Sequence, residues 1–125
     1  MASEDDVRRL ALALPATTEK PSYGTSGFRV KDKLFARMWD GGRRHGGHGD
    51  EGEVLVLFVS DLGEKEVMLA AAPERFFTTS HYDGHATVLV RLGAVDVDEL
   101  EELLADAWRV RAPAPLVAAF DADGS

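Results

Sequence analysis

Residues 27–39 read GFRVKDKLFARMW and carry the clearest structural pattern in the chain. Phe28 and Val30 alternate with basic residues, a Lys-Asp-Lys turn follows, and a second apolar and aromatic run extends from Leu34 to Trp39. Alternation with a period of two is typical of strands, and a short polar break between two such runs predicts a hairpin. We therefore expect two antiparallel strands joined by a tight turn.

Further strands are predicted downstream of this hairpin. The run VLVLFV at residues 54–59 is continuously apolar and rich in β-branched residues, which favours a buried strand over a short buried helix. Residues 76–79 and 87–92 predict a second hairpin, with Asp83 and Gly84 supplying the turn. The sequence thus indicates an antiparallel sheet of about five strands.

Helices are predicted before, between and after these strands in the sequence. A capping pattern, an N-cap residue followed three positions later by an acidic residue, occurs at Ser3, Asp61 and Asp96. The corresponding helices are expected at about residues 4–14, 61–72 and 96–111, with a short amphipathic segment at 116–120. In the second helix we expect Val67, Met68 and Ala71 to share the buried face, and we expect residues 16–26 to be an irregular connection.

Together these patterns predict an α+β fold, a single compact domain of residues 1–125 with the sheet packed against N-terminal, central and C-terminal helices. Residues 40–52 carry a glycine-rich run and are expected to form a flexible loop, and residues 121–125 are expected to form a tail. The chain has no cysteine, which excludes disulfides, thiolate zinc sites and a cysteine nucleophile. No apolar run is long enough to span a membrane, so a cytoplasmic protein is expected.

Three blocks of the sequence resemble the MmcQ/YjbR family of small bacterial proteins. They are KPSYGTSGFRVKDKLFAR at residues 20–37, FFTTSHYDGHATVLVRL at residues 76–92 and AWRVRAPAPLVAAF at residues 107–120. The resemblance implies a compact domain with an antiparallel sheet, and a proposed role in DNA binding in which two projecting hairpins act as a double wing. The chain departs from the family pattern in lacking two cations after the Ala-Pro of the last block, and in the length of the loop at residues 40–52.

The charge distribution also bears on nucleic acid. The chain carries a net charge of −8, which argues against indiscriminate coating of nucleic acid. Residues 20–48, however, hold seven basic and two acidic side chains, a local charge of +5 that could face phosphates or pair with the acidic helices. We predict a non-catalytic DNA-binding protein that contacts the phosphates of double-stranded DNA weakly through a basic set comprising Arg29, Lys31, Lys33, Arg37, Arg43 and Arg44.

The alternative prediction is a module that binds a protein or a small molecule in a cleft near Tyr23, His81, Tyr82 and Asp83. These residues could equally form a turn and bury their rings. The histidines do not have the spacing of known zinc sites, and no catalytic or cofactor-binding motif is recognised, so we expect no enzyme activity, metal or cofactor. A contiguous basic face would favour DNA, whereas a deep apolar pocket with converging polar groups would favour the cleft.

Overall fold

The computed structural model describes residues 1–22, 24–39 and 52–124. It contains a six-stranded, wholly antiparallel sheet with the strand order β1-β2-β3-β4-β6-β5, so the predicted α+β class is confirmed. The elements in chain order are α1 (Glu4–Leu12), β1 (Thr17–Ser22), β2 (Thr25–Val30), β3 (Lys33–Met38), β4 (Val54–Phe58), α2 (Leu62–Ala71), β5 (Phe76–Phe77), β6 (Thr87–Arg91), α3 (Val97–Arg111) and α4 (Ala114–Gly124).

Strand β1 lies where an irregular connection was expected, so the prediction for residues 16–26 was wrong. The strand reads TTEKPS and pairs with β2 along its whole length, from Thr17 opposite Val30 to Ser22 opposite Thr25. Among the described strands it lies at the edge of the sheet and pairs with β2 alone. A polar edge strand has no buried face to impose an apolar alternation on its sequence, which is why the periodicity missed it.

The predicted turn between β2 and β3 is confirmed and is a tight two-residue turn. Both central residues have positive φ, 50° at Lys31 and 68° at Asp32. This is the backbone of a type I′ turn, whose twist matches the twist of the strands on either side. The turn therefore holds Lys31 at the tip of a regular hairpin.

A β-bulge in β3 breaks the alternation that the sequence suggested. Phe28 pairs with Ala36 and Arg29 pairs with Leu34, so Phe35 is an extra residue without a partner of its own on β2. Phe35 and Ala36 are consecutive and both belong to the main core. The bulge thereby places Leu34 and the residue after Ala36, Arg37, on the other face of the sheet.

The two faces of the sheet carry two separate apolar clusters. The first face contributes Leu55, Leu57, Val88 and Val90 to the main core, which α1 and α3 cover. The second face carries a small cluster of buried residues, with two aromatic side chains packed on it. That cluster comprises Val54, Val56, Tyr82 and Leu89, with Trp39 and Phe77 against it. The large core thus lies on one side of the sheet only.

Helices α1 and α3 form where their caps and stripes predict. Ser3 and Asp6 form a complete capping box at the start of α1, which ends at Leu12, two residues before its predicted end. Asp96 caps α3 by accepting a hydrogen bond from the backbone N–H of Glu99 at 2.7 Å. Trp108 is fully buried, and its indole N–H donates to the carbonyl of Pro15 at 2.9 Å, which connects α3 to the segment between α1 and β1.

Helix α2 buries a different face from the predicted one. Val67 is 63% exposed and Ala71 is exposed, whereas Met68 and Leu69 pack against the main core. The buried face begins with Lys65, one turn earlier, which is only 3% exposed. The prediction failed because a lysine occupies a position on which an apolar periodicity depends.

Helix α4 begins at Ala114 with Pro115 in its first turn and extends to Gly124, so residues 121–124, expected as a tail, are helical. Its Leu116, Val117 and Phe120 pack against the main core. Among the described residues, no helix is long and apolar enough to cross a bilayer.

Candidate functional site

The second face of the sheet forms the floor of a cleft with a volume of about 670 Å³. Leu34, Val56 and Phe58 supply apolar surface from β3 and β4, and Trp39 lies at one side. The segment between β5 and β6 lines the cleft, and so does the end of α3. We call this cavity the ligand cleft; its described lining comprises Leu34, Arg37, Trp39, Val56, Phe58, Val59, Ser60, His81, Tyr82, His85, Ala86, Thr87, Val110 and Arg111. A cavity of this size with an apolar floor and a few polar groups is typical of small-molecule sites.

Arg37 and Tyr82 form the polar centre of the ligand cleft. The guanidinium of Arg37 donates to the Tyr82 hydroxyl and, at 3.3 Å, to the carbonyl of Met38. The Arg37 guanidinium carbon also lies 5.8 Å from the centre of the Tyr82 ring. Tyr82 is buried, and its ring packs edge-on to His81 with 4.8 Å between ring centres. These contacts hold a cation and a phenol together above the apolar floor.

Arg111, the last residue of α3, supplies a second cation to the ligand cleft. Its Nε donates to the carbonyl of Leu34 at 3.0 Å, and its guanidinium carbon lies 4.8 Å above the Phe58 ring. Among the residues that the structure describes, neither terminal nitrogen of Arg111 has a hydrogen-bond partner. The guanidinium is thus held in place by one edge while its other donors remain available.

Thr87 places an unpartnered hydroxyl in the wall of the ligand cleft. The residue is 4% exposed, and its Oγ1 has no hydrogen-bond partner within the described chain. A buried hydroxyl without a partner is unfavourable by roughly 1–3 kcal/mol relative to a paired one. Other atoms of Thr87 line the cleft, but Oγ1 itself has almost no accessible surface, so this hydroxyl does not identify a ligand contact.

The buried Lys65 of α2 fixes the turn that carries the histidines of the cleft. Its Nζ donates to the carbonyl of Tyr82 at 2.5 Å and to the carbonyl of His85 at 2.9 Å. Burial lowers the pKa of Lys65, and the nearby Asp83 carboxylate partly opposes that effect. The same turn is closed by the His85 N–H donating to the Tyr82 carbonyl at 2.9 Å. Lys65 therefore stabilises the turn that contributes Tyr82 and His85 to the lining of the cleft.

The described residues predicted to contact phosphate do not form one group. Lys31 and Lys33 are exposed at the tip of the first hairpin, and Arg29 donates to the carbonyl of Asp32 at 3.4 Å. Arg37 lies in the ligand cleft, separated from the tip by the bulge. The other two members of the basic set, Arg43 and Arg44, lie outside the described residues, as does most of the loop predicted at residues 40–52.

The residues predicted to line a cleft are brought together in part. His81 and Tyr82 line the ligand cleft, joined by His85. Asp83 is exposed on the same turn and is not among the lining residues, while Tyr23 lies outside the described residues. Within the described ranges, no three histidine, aspartate or glutamate side chains are grouped to hold a metal ion.

The comparisons with known proteins agree with this fold. A family model described as YjbR matches residues 12–110. The chain belongs to the YjbR family. It is 39% identical, over 96% of both chains, to the uncharacterized proteins Mb2600 of Mycobacterium bovis and Rv2570 of Mycobacterium tuberculosis. The predicted family resemblance is therefore confirmed.

A solved bacterial structure has a similar fold. The crystal structure of the Deinococcus radiodurans protein DR2400, with a domain described as DUF419, superposes with a TM-score of 0.64. The match covers 88% of this chain and 78% of that protein at 21% identity. At that identity the likeness establishes the fold of the YjbR domain, and the function must be argued from the residues of this chain.

Proposed function

We propose that this YjbR protein is a non-catalytic binding module whose ligand cleft takes a small molecule with an apolar body. The observation that carries the proposal is the convergence of Arg37, Tyr82 and Arg111 on one cavity of about 670 Å³ with an apolar floor. Cavities of this size that combine apolar surface with a few polar groups are typical of small-molecule sites.

The arrangement of the hydroxyl groups in the cleft favours binding over chemistry. Nucleophilic catalysis needs a nucleophile, a base within hydrogen-bond reach and a third group that orients the base. Among the described lining residues the hydroxyls belong to Ser60, Tyr82 and Thr87. Tyr82 is engaged by Arg37, and within the described chain neither Ser60 Oγ nor Thr87 Oγ1 has a hydrogen-bond partner that could act as a base. The cleft is therefore better suited to holding a molecule than to transforming it.

The test is fragment binding followed by NMR on the labelled protein, with the cleft blocked in a matched variant. Val110 lines the cleft on α3, and Val67 is an exposed valine on α2 outside it. We expect aromatic fragments to shift the resonances of residues 56–60 and 81–87, and Val110→Trp to abolish those shifts while Val67→Trp retains them. Fragments that shift scattered surface residues, or none at all, would contradict the proposal.

DNA binding through the first hairpin is the second candidate. It is supported by Lys31 and Lys33, which are both exposed beside a rigid type I′ turn, with Lys20 exposed on the neighbouring strand. The Asp32 carboxylate lies 3.6 Å from the Lys20 ammonium and reduces the local positive charge. This ion pair lowers the net positive charge that the tip presents to phosphates.

A labelled random duplex, titrated by fluorescence anisotropy between about 50 and 200 mM salt, tests the second candidate. Each phosphate neutralised contributes about −0.9 to the slope of log affinity against log salt. We expect the double variant Lys31→Glu, Lys33→Glu to make that slope about two units shallower, with Arg109→Glu on α3 as the control. Absence of binding at the lowest salt, or an unchanged slope in the double variant, would rule out this hairpin.

A further inference from the structure

The electrostatic character of the ligand cleft is opposite to that of the protein as a whole. The chain has 22 acidic against 14 basic residues. Yet the described residues that line the cleft include Arg37, Arg111, His81 and His85 and no aspartate or glutamate. A cavity lined by one sign of charge over an apolar wall concentrates ions of the opposite sign.

The contacts of Arg111 hold one of these positive charges at a fixed position in the cleft. Its Nε donates a hydrogen bond to the Leu34 carbonyl, and its guanidinium carbon lies 4.8 Å from the centre of the Phe58 ring. The edge that carries the two terminal nitrogens has no partner in the described part of the chain. A guanidinium held in this way offers parallel N–H donors at a fixed position, which is the arrangement that binds a carboxylate or phosphate in a bidentate manner.

The apolar floor adds a second requirement on a ligand. Leu34, Phe58 and Trp39 are partly exposed and present apolar surface that an ion alone would not cover. The ligand must therefore combine an anionic head with a body that packs on aromatic side chains.

We infer that the ligand is a small oxyanion attached to an aromatic or other planar apolar body, and that Arg111 binds the anionic group. This inference rests on the proposed ligand cleft and adds the chemical class of its occupant. The shared chemistry is a negatively charged group with two or more acceptor oxygens. Phosphate monoesters and carboxylates are its two sources, and they are separated by the choice of probes.

The test compares three probes of similar size by NMR titration of the full chain: phenylacetate, phenyl phosphate and the uncharged phenylacetamide. For about ten non-hydrogen atoms we expect dissociation constants of about 1 mM for the better anion. We expect that anion to bind about tenfold more tightly than the amide, because charge-assisted hydrogen bonds are stronger than neutral ones. Whichever anion is preferred identifies the source of the head group.

Three variants assign the preference to a residue. Arg111→Gln should remove the tenfold preference for the anion, and Arg111→Lys should retain part of it because the charge remains without the planar donors. Arg109→Gln, on the same last turn of α3 but paired with Asp106 and Asp121, should change nothing. Unchanged folding of each variant is checked by its amide spectrum.

The outcomes distinguish this inference from the proposed function. If all three probes bind the cleft equally, or Arg111→Gln keeps the preference, the anionic class is wrong while the cleft remains a small-molecule site. If no probe shifts the cleft resonances, both the class and the site fail. If the anions bind preferentially and only the Arg111 variants respond, the inference holds.

Discussion

The two faces of this sheet are built from alternate residues of the same strands and yet have opposite characters. On the first face, Leu55, Leu57, Val88 and Val90 are closed over by helices in a continuous apolar core. On the second face, the alternate residues, such as Phe58, leave an open cleft with arginine, histidine and hydroxyl groups around it. The first face supplies the stability that a small domain needs, while the second face carries polar side chains such as Arg111 beside the cleft.

Truncating a side chain on the first face should have the largest effect on stability. Leu104 is buried in α3 within the main core, and Leu104→Ala leaves a cavity there. We expect the free energy of unfolding to fall by about 3 kcal/mol, measured by urea denaturation. The matched change on the cleft side of the same helix is Val110→Ala, where the valine is 40% exposed. It should alter stability by less than about 0.5 kcal/mol. Equal losses at the two positions would remove the distinction between the faces.

An intermediate effect is expected at Lys65, which lies between the core and the cleft. Lys65→Met keeps most of the side-chain volume but removes the two hydrogen bonds to the carbonyls of Tyr82 and His85. We expect the turn to open more readily, with amide exchange at His85 about tenfold faster, because roughly 1–2 kcal/mol of local stability is lost. Hydrogen exchange measured by NMR reports this directly.

The control for Lys65 is its exposed neighbour Glu66. Glu66→Gln also changes the charge of α2 by one unit, in the opposite direction, without touching the turn, and should leave the exchange rate at His85 unchanged. Since the main core is intact in both variants, global unfolding should change less than in Leu104→Ala. If exchange at His85 is equally slow in Lys65→Met, the lysine does not hold the turn.

The smallest expected effect concerns acid sensitivity at α1, which covers the first face. The hydrogen bond from Arg9, helped by those from Ser3, holds the pKa of Asp6 below its usual 3.8. A carboxyl whose native pKa is depressed adds stability that is present above its unfolded pKa and is lost as pH falls through the lower native pKa. Asp6→Asn should therefore make the loss of thermal stability on acidification below about pH 4 slightly shallower.

Asp5→Asn is the matched control for the acid experiment, because Asp5 has the same charge on the same helix and its side chain is 95% exposed. Thermal unfolding followed between about pH 5 and pH 2 separates the two variants. An identical acid profile for Asp6→Asn and the parent protein would show that the capping box does not contribute to acid sensitivity.

The sequence predicted the parts of the fold in which local chemistry and burial agree. The Ser3 and Asp96 caps, the stripe ending at Trp108 and the turn at Lys31 all follow from patterns within a few residues, and all are present. Strand β1 was missed because its pairing with β2, and no apolar pattern of its own, makes it a strand. The face of α2 was misassigned because Lys65 is buried through contacts with a turn 17 to 20 residues away.

The ligand cleft was only partly predictable for a related reason. His81 and Tyr82 could be named because they are adjacent polar aromatics in one turn. Arg111 and Thr87 come from a helix and a strand distant in sequence, and nothing in their own neighbourhoods distinguishes them from ordinary surface or strand residues. Arg37 reaches the cleft because one extra residue, Phe35, shifts the register of β3. Such features arise from tertiary pairing, which local periodicity does not encode.

The two edges of the sheet have a consequence for the protein at high concentration. One edge is β1, which carries Lys20 and Pro21 among polar residues, and the other is β5, which is only two residues long. A charged strand with a proline and a very short strand are both poor templates for pairing with strands of another molecule. The described sheet therefore presents little edge on which copies of the chain could add in register, and we expect concentrated solutions to resist β-type aggregation.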